Sequence, residues 1–203
     1  MEQHTTRALV LRSIPFQEKQ FVLTLFSQKI GLVSTIAERQ RARKTLLCCT
    51  EPFCEAEFLL YERHSELLFC KETSLVSQNL DLRQSLAYLQ TGSAMLHAIL
   101  HSQLPRKPSE ELYTMLIAFL KQISLFSSQT VLLAFFYTKM LQHEGVFHPF
   151  PEEEDSHLPL SLVERNLLQV WMSRKRFAEM HKEECPAPFL DKIKQLFYEK
   201  NGH

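Results

Sequence analysis

The apolar positions along the chain change period once. Up to about Ser77 they come as short runs or alternate with polar residues, as in Phe21-Val22-Leu23-Thr24-Leu25-Phe26, Glu55 to Tyr61 and Glu66 to Cys70. That is the pattern of strands. With Ala8 to Arg12 and Gly31 to Ala37 this makes five strands in about 75 residues. Turn signals separate them at Ser13-Ile14-Pro15, Lys29-Ile30-Gly31 and Glu62-Arg63-His64-Ser65, the last joining two strands as a hairpin. Five short strands in so few residues predict a small closed barrel.

Beyond Asn79 the period becomes helical. Leu82, Leu86, Leu89, Ser93, Leu96 and Leu100 are spaced alternately four and three apart, which predicts one long helix ending before Pro105 with these residues on one face. Ser109 caps a second helix with Leu112, Met115, Leu116, Phe119, Leu120 and Ile123 inward, and Thr130 to Glu144 is an apolar third closed by Gly145. Ser161-x-x-Glu164 is a capping box opening Leu162 to Arg176, whose last turn places Arg174, Lys175 and Arg176 against the negative end of the helix dipole. A final helix covers Phe189 to Tyr198. Between the third and fourth helices, Pro149, Pro151 and Pro159 bracket the acidic run Glu152 to Asp155, which predicts a surface loop over Phe147 to Pro159. The fold class expected is α+β: a β-barrel over residues 1–79 followed by an all-α domain over residues 80–203.

Composition narrows what such a chain does. Hydrophobic residues make up 45% and charged residues 23%, values of an ordinary folded protein. No run approaches the roughly 18 to 20 apolar residues of a membrane span, and Met1 to Thr6 lack the regions of a signal peptide, so a cytosolic protein is expected. The five cysteines, Cys48, Cys49, Cys54, Cys70 and Cys185, are odd in number and never spaced C-x-x-C. They are read as reduced, buried thiols rather than as disulfides or a zinc knuckle.

The net charge is zero, but its distribution is not uniform. Residues 1–46 hold eight basic side chains (Arg7, Arg12, Lys19, Lys29, Arg39, Arg41, Arg43, Lys44) against Glu2, Glu18 and Glu38, an excess of five positive charges. Residues 47–79 hold Arg63 and Lys71 against Glu51, Glu55, Glu57, Glu62, Glu66 and Glu72, an excess of four negative ones. Any polyanion site is therefore local. Arg39, Arg41 and Arg43 alternate in an extended segment ending at Lys44, so their guanidinium groups share a side and suit bidentate phosphate contact. Arg12 and Lys19 extend the basic character along the same N-terminal segment, and Phe16, Phe21 and Phe26 are candidates for base stacking or for core.

Other chemistry is poorly supported. His97 and His101 have the four-residue spacing of a shared metal, without the Glu of H-E-x-x-H and without a third ligand. His143, His148 and His157 beside Glu152 to Asp155 read as solvated polar residues. There is no G-x-S-x-G, no phosphate-binding loop, and only 4 glycines from which to build one. A non-enzymatic binding protein is expected, without cofactor or metal.

The segments Ala8-Leu9-Val10-Leu11-Arg12, Phe16-x-Glu18-Lys19, Leu23-Thr24-Leu25-Phe26-Ser27 with Gly31, the basic stretch Arg39 to Lys44, Pro52-Phe53, Phe135-Phe136 through Leu141 and Gly145-x-x-x-Pro149 resemble, in order and spacing, the RecO family of bacterial recombination mediators. The likeness spans about residues 7–150. It implies an OB-fold barrel and a helical domain, and binding of single- and double-stranded DNA with strand annealing. It further implies cooperation with RecR in loading RecA onto DNA coated by single-strand binding protein, in the cytoplasm at the nucleoid. The acidic, Phe-ended tail of single-strand binding protein is implied as a ligand of the helical domain, with Arg106, Lys107 and Lys121 the candidate cations. Two features depart from the family pattern. Glu38-Arg39 stands where many members have Lys-Gly, and the cysteine pair that in many members holds zinc after the Gly-x-x-x-Pro region is missing, so no zinc is expected. The rival reading is a protein-interaction adaptor in which DNA contact is incidental.

Overall fold

A computed structural model describes residues 2–18, 20–38, 49–63, 65–146, 160–186 and 188–200. The strands are β1 (Gln3–Phe16), β2 (Gln20–Ser27), β3 (Gly31–Glu38), β4 (Glu55–Arg63) and β5 (Ser65–Ser77). They close into a barrel in the order β1-β2-β3-β5-β4, with β4 back on β1. All pairings are antiparallel except β3 with β5, where Thr35, Ile36 and Ala37 run parallel to Leu68, Phe69 and Cys70. This is the expected five-stranded OB fold followed by helices.

The turn expected at Ser13-Ile14-Pro15 does not form. β1 continues to Phe16, with Pro15 opposite Phe21. A proline is tolerated near the end of a ladder, where few N–H groups are needed. The reversal waits for Gln17, whose φ of 56° provides the left-handed backbone a tight hairpin requires.

A bulge in β1 between Val10 and Arg12 governs what each part of the strand faces. Inside the barrel, Ala8 and Val10 meet Leu23, Leu25, Val33, Phe58 and Leu60 in one buried cluster. Outside, Leu9, Leu11 and Phe26 join a second, larger cluster made mostly of helix residues.

The helices are α1 (Leu86–Ser102), α2 (Glu110–Gln122), α3 (Gln129–His143), α4 (Leu162–Ser173) and α5 (Phe189–Lys200), with single 3₁₀ turns at Leu80–Gln84 and Phe177–Glu179. Ser85, Ser109, Ser128 and Ser161 each accept a hydrogen bond from a backbone N–H of the turn they open. The long helix expected from Leu82 is therefore broken at Ser85, which is extended and caps α1 instead. The expected leucine stripe is largely kept and widened: Leu82 and Leu96 are buried and Leu89 and Leu100 pack against the core, whereas Leu86 is 71% exposed and Ser93 is exposed, and Thr91, Gly92, Met95, Ala98 and Ile99 are buried as well. The smallest residue decides the face, because a Cβ on Gly92 would lie 2.8 Å from the Phe53 ring.

α3 is the central helix, buried without interruption from Val131 to Thr138. Gly145, with φ +70°, closes it as a Schellman motif in which Val146 N–H reaches Leu141 C=O at 3.0 Å. α4 ends at Ser173 rather than Arg176. Arg174 is extended and pairs with Glu179 and Glu183, so the three basic residues do not form a last helical turn. The capping box at Ser161 and Glu164 forms as expected, and Lys192 of α5 reaches the same carboxylate at 2.8 Å. The loop expected over Phe147 to Pro159 lies outside the described residues.

Barrel and helices meet along a dense seam. Phe53, at φ 72°, packs on Gly92, and its carbonyl accepts from Asn79 at 2.8 Å. The buried Glu55 carboxylate accepts from the Tyr113 hydroxyl at 3.0 Å, with Arg7 3.6 Å away. Gly31, at φ +72°, lets the Lys107 carbonyl approach closer than any side chain permits.

Gly31→Ala is expected to lower stability by roughly 3 kcal/mol, since the strained φ and the clash add. Gly145→Ala has the same φ but nothing within 4 Å of its Cβ position, and should cost about 1 kcal/mol. Urea unfolding of both variants measures the difference. The Lys192 ammonium and the Ser161 N–H hold the Glu164 carboxyl below the usual glutamate range. A depressed folded value means that this stabilisation is present above the unfolded pKa and is lost as pH falls through the folded one. Lys192→Met should destabilise the fold at neutral pH and flatten the loss on acidification, as read from thermal midpoints across pH.

Candidate nucleic-acid interface

The bulge and the register divide the outer surface of β1, β2 and β3 into two halves. Strand partners share a face, and on one half Leu9, Phe26 and Leu32 are covered by the helical cluster. On the other half Arg12 lies beside Thr24 and Ser34, Ile14 beside Val22 and Ile36, and Phe16 beside Gln20 and Glu38. None of these nine residues is buried. Ile14 is 41% and Phe16 43% exposed, large values for apolar side chains in a strand.

The middle row continues around the barrel through Phe69, the partner of Ile36, to Tyr61, the partner of Phe69. Lys71 lies 5.5 Å from the Tyr61 ring centre. The result is a belt of apolar and aromatic side chains with an exposed cation at each flank, Arg12 and Lys71. It has the elements of a single-strand platform, in which rings accept bases and cations accept phosphates. The strand 2–3 face and the first hairpin loop are also where OB folds bind oligonucleotides.

Of the candidate DNA-binding residues, only Arg12 falls among those described; it is exposed on this face. Lys19, Arg39, Arg41, Arg43 and Lys44 lie outside the described residues. Their chain neighbours are nonetheless placed: Gln20 and Glu38 are paired and hydrogen-bonded at 3.3 Å, at the corner of the belt. Of the candidate stacking rings only Phe16 is available. Phe21 packs against the barrel interior and Phe26 lies 6.0 Å from the Tyr113 ring in the seam. Phe69 and Tyr61 were not apparent in the sequence as platform residues, because their alternation alone does not tell which face of a strand is outside.

The candidate tail-binding cations are dispersed. Arg106 and Lys107 lie between α1 and α2, where Arg106 binds the Glu62 carboxylate at 2.6 Å and thereby lowers its pKa. Lys121 is exposed at the far end of α2, about 18 Å along the helix from Ser109. A cavity of about 320 Å³ borders Arg106, lined also by Lys29, Ile30, His4 and Glu62.

His97 and His101 face Tyr198 instead of a shared metal position. His97 Nδ1 lies 3.1 Å from its hydroxyl, and the His101 ring packs edge-on at 4.8 Å. Among the described residues the one group with three metal-ligating atoms in reach of each other is Glu2, His4 and Glu62, and Arg106 occupies part of its carboxylate capacity. Cys49, Cys54 and Cys70 are buried and Cys185 is half-buried; Cys48, His148 and His157 lie outside the described residues. Among the described residues, no helix is long and apolar enough to cross a membrane.

Residues 1–79 match the family described as the recombination protein O N-terminal domain. The chain is 25% identical over 219 aligned positions to the DNA repair protein RecO of Chlamydia pneumoniae, covering 93% of this chain and 85% of that one. It is 25% identical over 144 positions to the DNA repair protein RecO of Syntrophus aciditrophicus, covering 70% of this chain and 56% of the relative. To the RecO protein of Clostridium kluyveri it is 32% identical over 72 positions, 35% of this chain and 28% of the relative. The chain thus spans little more than half the length of some curated relatives it matches.

Proposed function

We propose that the chain is a member of the RecO family, whose N-terminal domain residues 1–79 match, and that it is a DNA repair and recombination mediator that acts by binding rather than by catalysis. Single-stranded DNA lies across the uncovered half of the barrel, with bases on Phe16 and its apolar neighbours and phosphates on Arg12, Lys19, Arg39, Arg41, Arg43 and Lys44. Double-stranded DNA uses the same basic flank, and holding two strands there promotes their annealing. The observation that carries this reading is the exposed belt on β1 to β3, which the helices leave open while covering Leu9, Leu11 and Phe26.

Residues 1–79 are the DNA-binding unit and residues 80–203 the unit for protein partners. With RecR, the chain loads RecA onto DNA coated by single-strand binding protein, in the cytoplasm at the nucleoid. The tail of single-strand binding protein docks on the helical side, with Arg106 and Lys107, or Lys121, as its cation; their separation means that one tail carboxylate meets one of these groups and not all three.

Fluorescence anisotropy of a labelled oligonucleotide across salt concentrations tests this on the full chain, since the isolated barrel would expose Leu9, Leu11 and Phe26. Affinity should fall by about 0.7 log units per phosphate contact for each tenfold rise in salt. Replacing Arg39, Arg41, Arg43 and Lys44 by Ala should weaken binding and flatten that slope, and Phe16→Ala should weaken single-strand binding by about 1–3 kcal/mol with the slope unchanged. Equal affinity and slope in the quadruple variant would remove the basic segment from the mechanism. No binding even at low salt would favour the protein-interaction adaptor, a reading that the zero net charge favours.

A further inference from the structure

The cavity of about 320 Å³ lies where the start of β1, the end of β4 and the β2–β3 turn come together. Its floor is apolar: Val33 and Leu68 belong to the barrel interior, and Ile30 packs against them. Its rim carries Glu2, His4 and Glu62 together with Lys29 and Arg106. The strand ladder fixes the first three. β1 and β4 run antiparallel with Gln3 opposite Tyr61 and His4 opposite Leu60, and the Glu62 N–H donates to the Glu2 carbonyl at 3.0 Å. Glu2 therefore stands opposite Glu62, and His4, two residues further along β1, lies on the same face. Their donor atoms converge. One carboxylate oxygen of Glu2, one ring nitrogen of His4 and one carboxylate oxygen of Glu62 lie within 4.8 Å of one another, and His4 Nε2 is 3.7 Å from Glu62 Oε1. Ligands about 2.1 Å from a shared tetrahedral metal stand roughly 3.4 Å apart, so side-chain adjustments of about 1 Å close the set without moving the ladder. All three are accessible, since Glu2 is exposed and the side chains of His4 and Glu62 are 22% and 31% exposed.

We propose that Glu2, His4 and Glu62 form a site for one divalent transition-metal ion, zinc, whose fourth position opens on the cavity. An imidazole beside two carboxylates selects a borderline metal over magnesium or calcium, which take all-oxygen sets. Three protein ligands with one open position is an arrangement that zinc accepts. Arg106 supports the site from outside. It donates to Glu62 Oε1 at 2.6 Å, which orients the carboxylate and leaves its second oxygen for the metal. The charges of Arg106 and Lys29 also oppose the ion, so binding is weaker than at a closed cysteine site. The site uses no sulfur and is separate from the cysteine pair missing after Gly145-x-x-x-Pro149. Occupancy pins the first residues of β1 to the end of β4 and stabilises the folded chain by mass action.

The test is zinc titration of the full reduced chain, after treatment with a chelator and its removal, followed by calorimetry and by the thermal midpoint. One ion per chain is expected, with a midpoint that rises with zinc and not with the same concentration of magnesium. His4→Ala and Glu62→Gln should each weaken the affinity at least about tenfold. Cobalt in place of zinc should show the visible bands of nitrogen and oxygen ligation without a thiolate charge-transfer band. That spectrum is read on the natural sequence and does not depend on either variant folding. No zinc uptake, uptake unchanged in both variants, a thiolate charge-transfer band with cobalt, or displacement of zinc by equimolar magnesium would each overturn the proposal.

Discussion

Phe53 against Gly92 is the contact on which the relation between barrel and helices turns. A phenylalanine in the left-handed region is strained, and it is held there because its ring lies where α1 presents no side chain. Asn79 satisfies its carbonyl and Val10 its amide, so the turn before β4 is tied simultaneously to β1 and to the start of the helical region. Gly31 under Lys107 repeats the device at the other edge of the seam, again with a close approach that needs a glycine. Between the two, the buried Glu55 carboxylate is tolerated because Tyr113 donates to it and Arg7 lies near. Burial, and to a lesser extent that carboxylate, keeps the Tyr113 hydroxyl protonated well beyond the usual tyrosine range.

This seam decides which part of the barrel surface stays open. Helices packed on Leu9, Leu11 and Phe26 cover that part of the outer surface of β1 to β3 and leave the part beyond the bulge open. Without the bulge, Arg12, Ile14 and Phe16 would point into the barrel. A single extra residue in β1 therefore puts a cation, an aliphatic side chain and an aromatic ring on the same open face. The helical region, in turn, gains a rigid frame at α3, whose apolar run is core rather than a groove for a peptide.

Much of this was legible in the sequence because the signals were local. Strand alternation, the Ser109 cap, the Ser161 to Glu164 capping box and Gly145 after α3 are each set by neighbouring residues, and each appears where expected. The errors share a cause, which is that tertiary contacts chose between local options. Pro15 signalled a turn but is absorbed into a strand end. Leu86 and Ser93 shared the expected helical face with Leu82, Leu89, Leu96 and Leu100, yet both are exposed, and the buried face extends to Gly92, where Phe53 fits. Arg174 left its helix to pair with Glu179 and Glu183. The candidate site was half legible: a cluster of arginines is visible in any sequence, whereas the belt of Ile14, Val22, Ile36, Phe69 and Tyr61 depends on strand order and on the bulge, neither of which is encoded locally.

The central claim is that DNA lies on the uncovered half of the barrel. Hydrogen–deuterium exchange of the full chain with and without a single-stranded oligonucleotide tests it most directly. Slowed exchange concentrated in peptides covering residues 12–24 and 34–44, with the faces of α3 and α5 unchanged, is the predicted footprint. Protection confined to the helices, with the β1–β2 hairpin unaffected at saturating oligonucleotide, would contradict it.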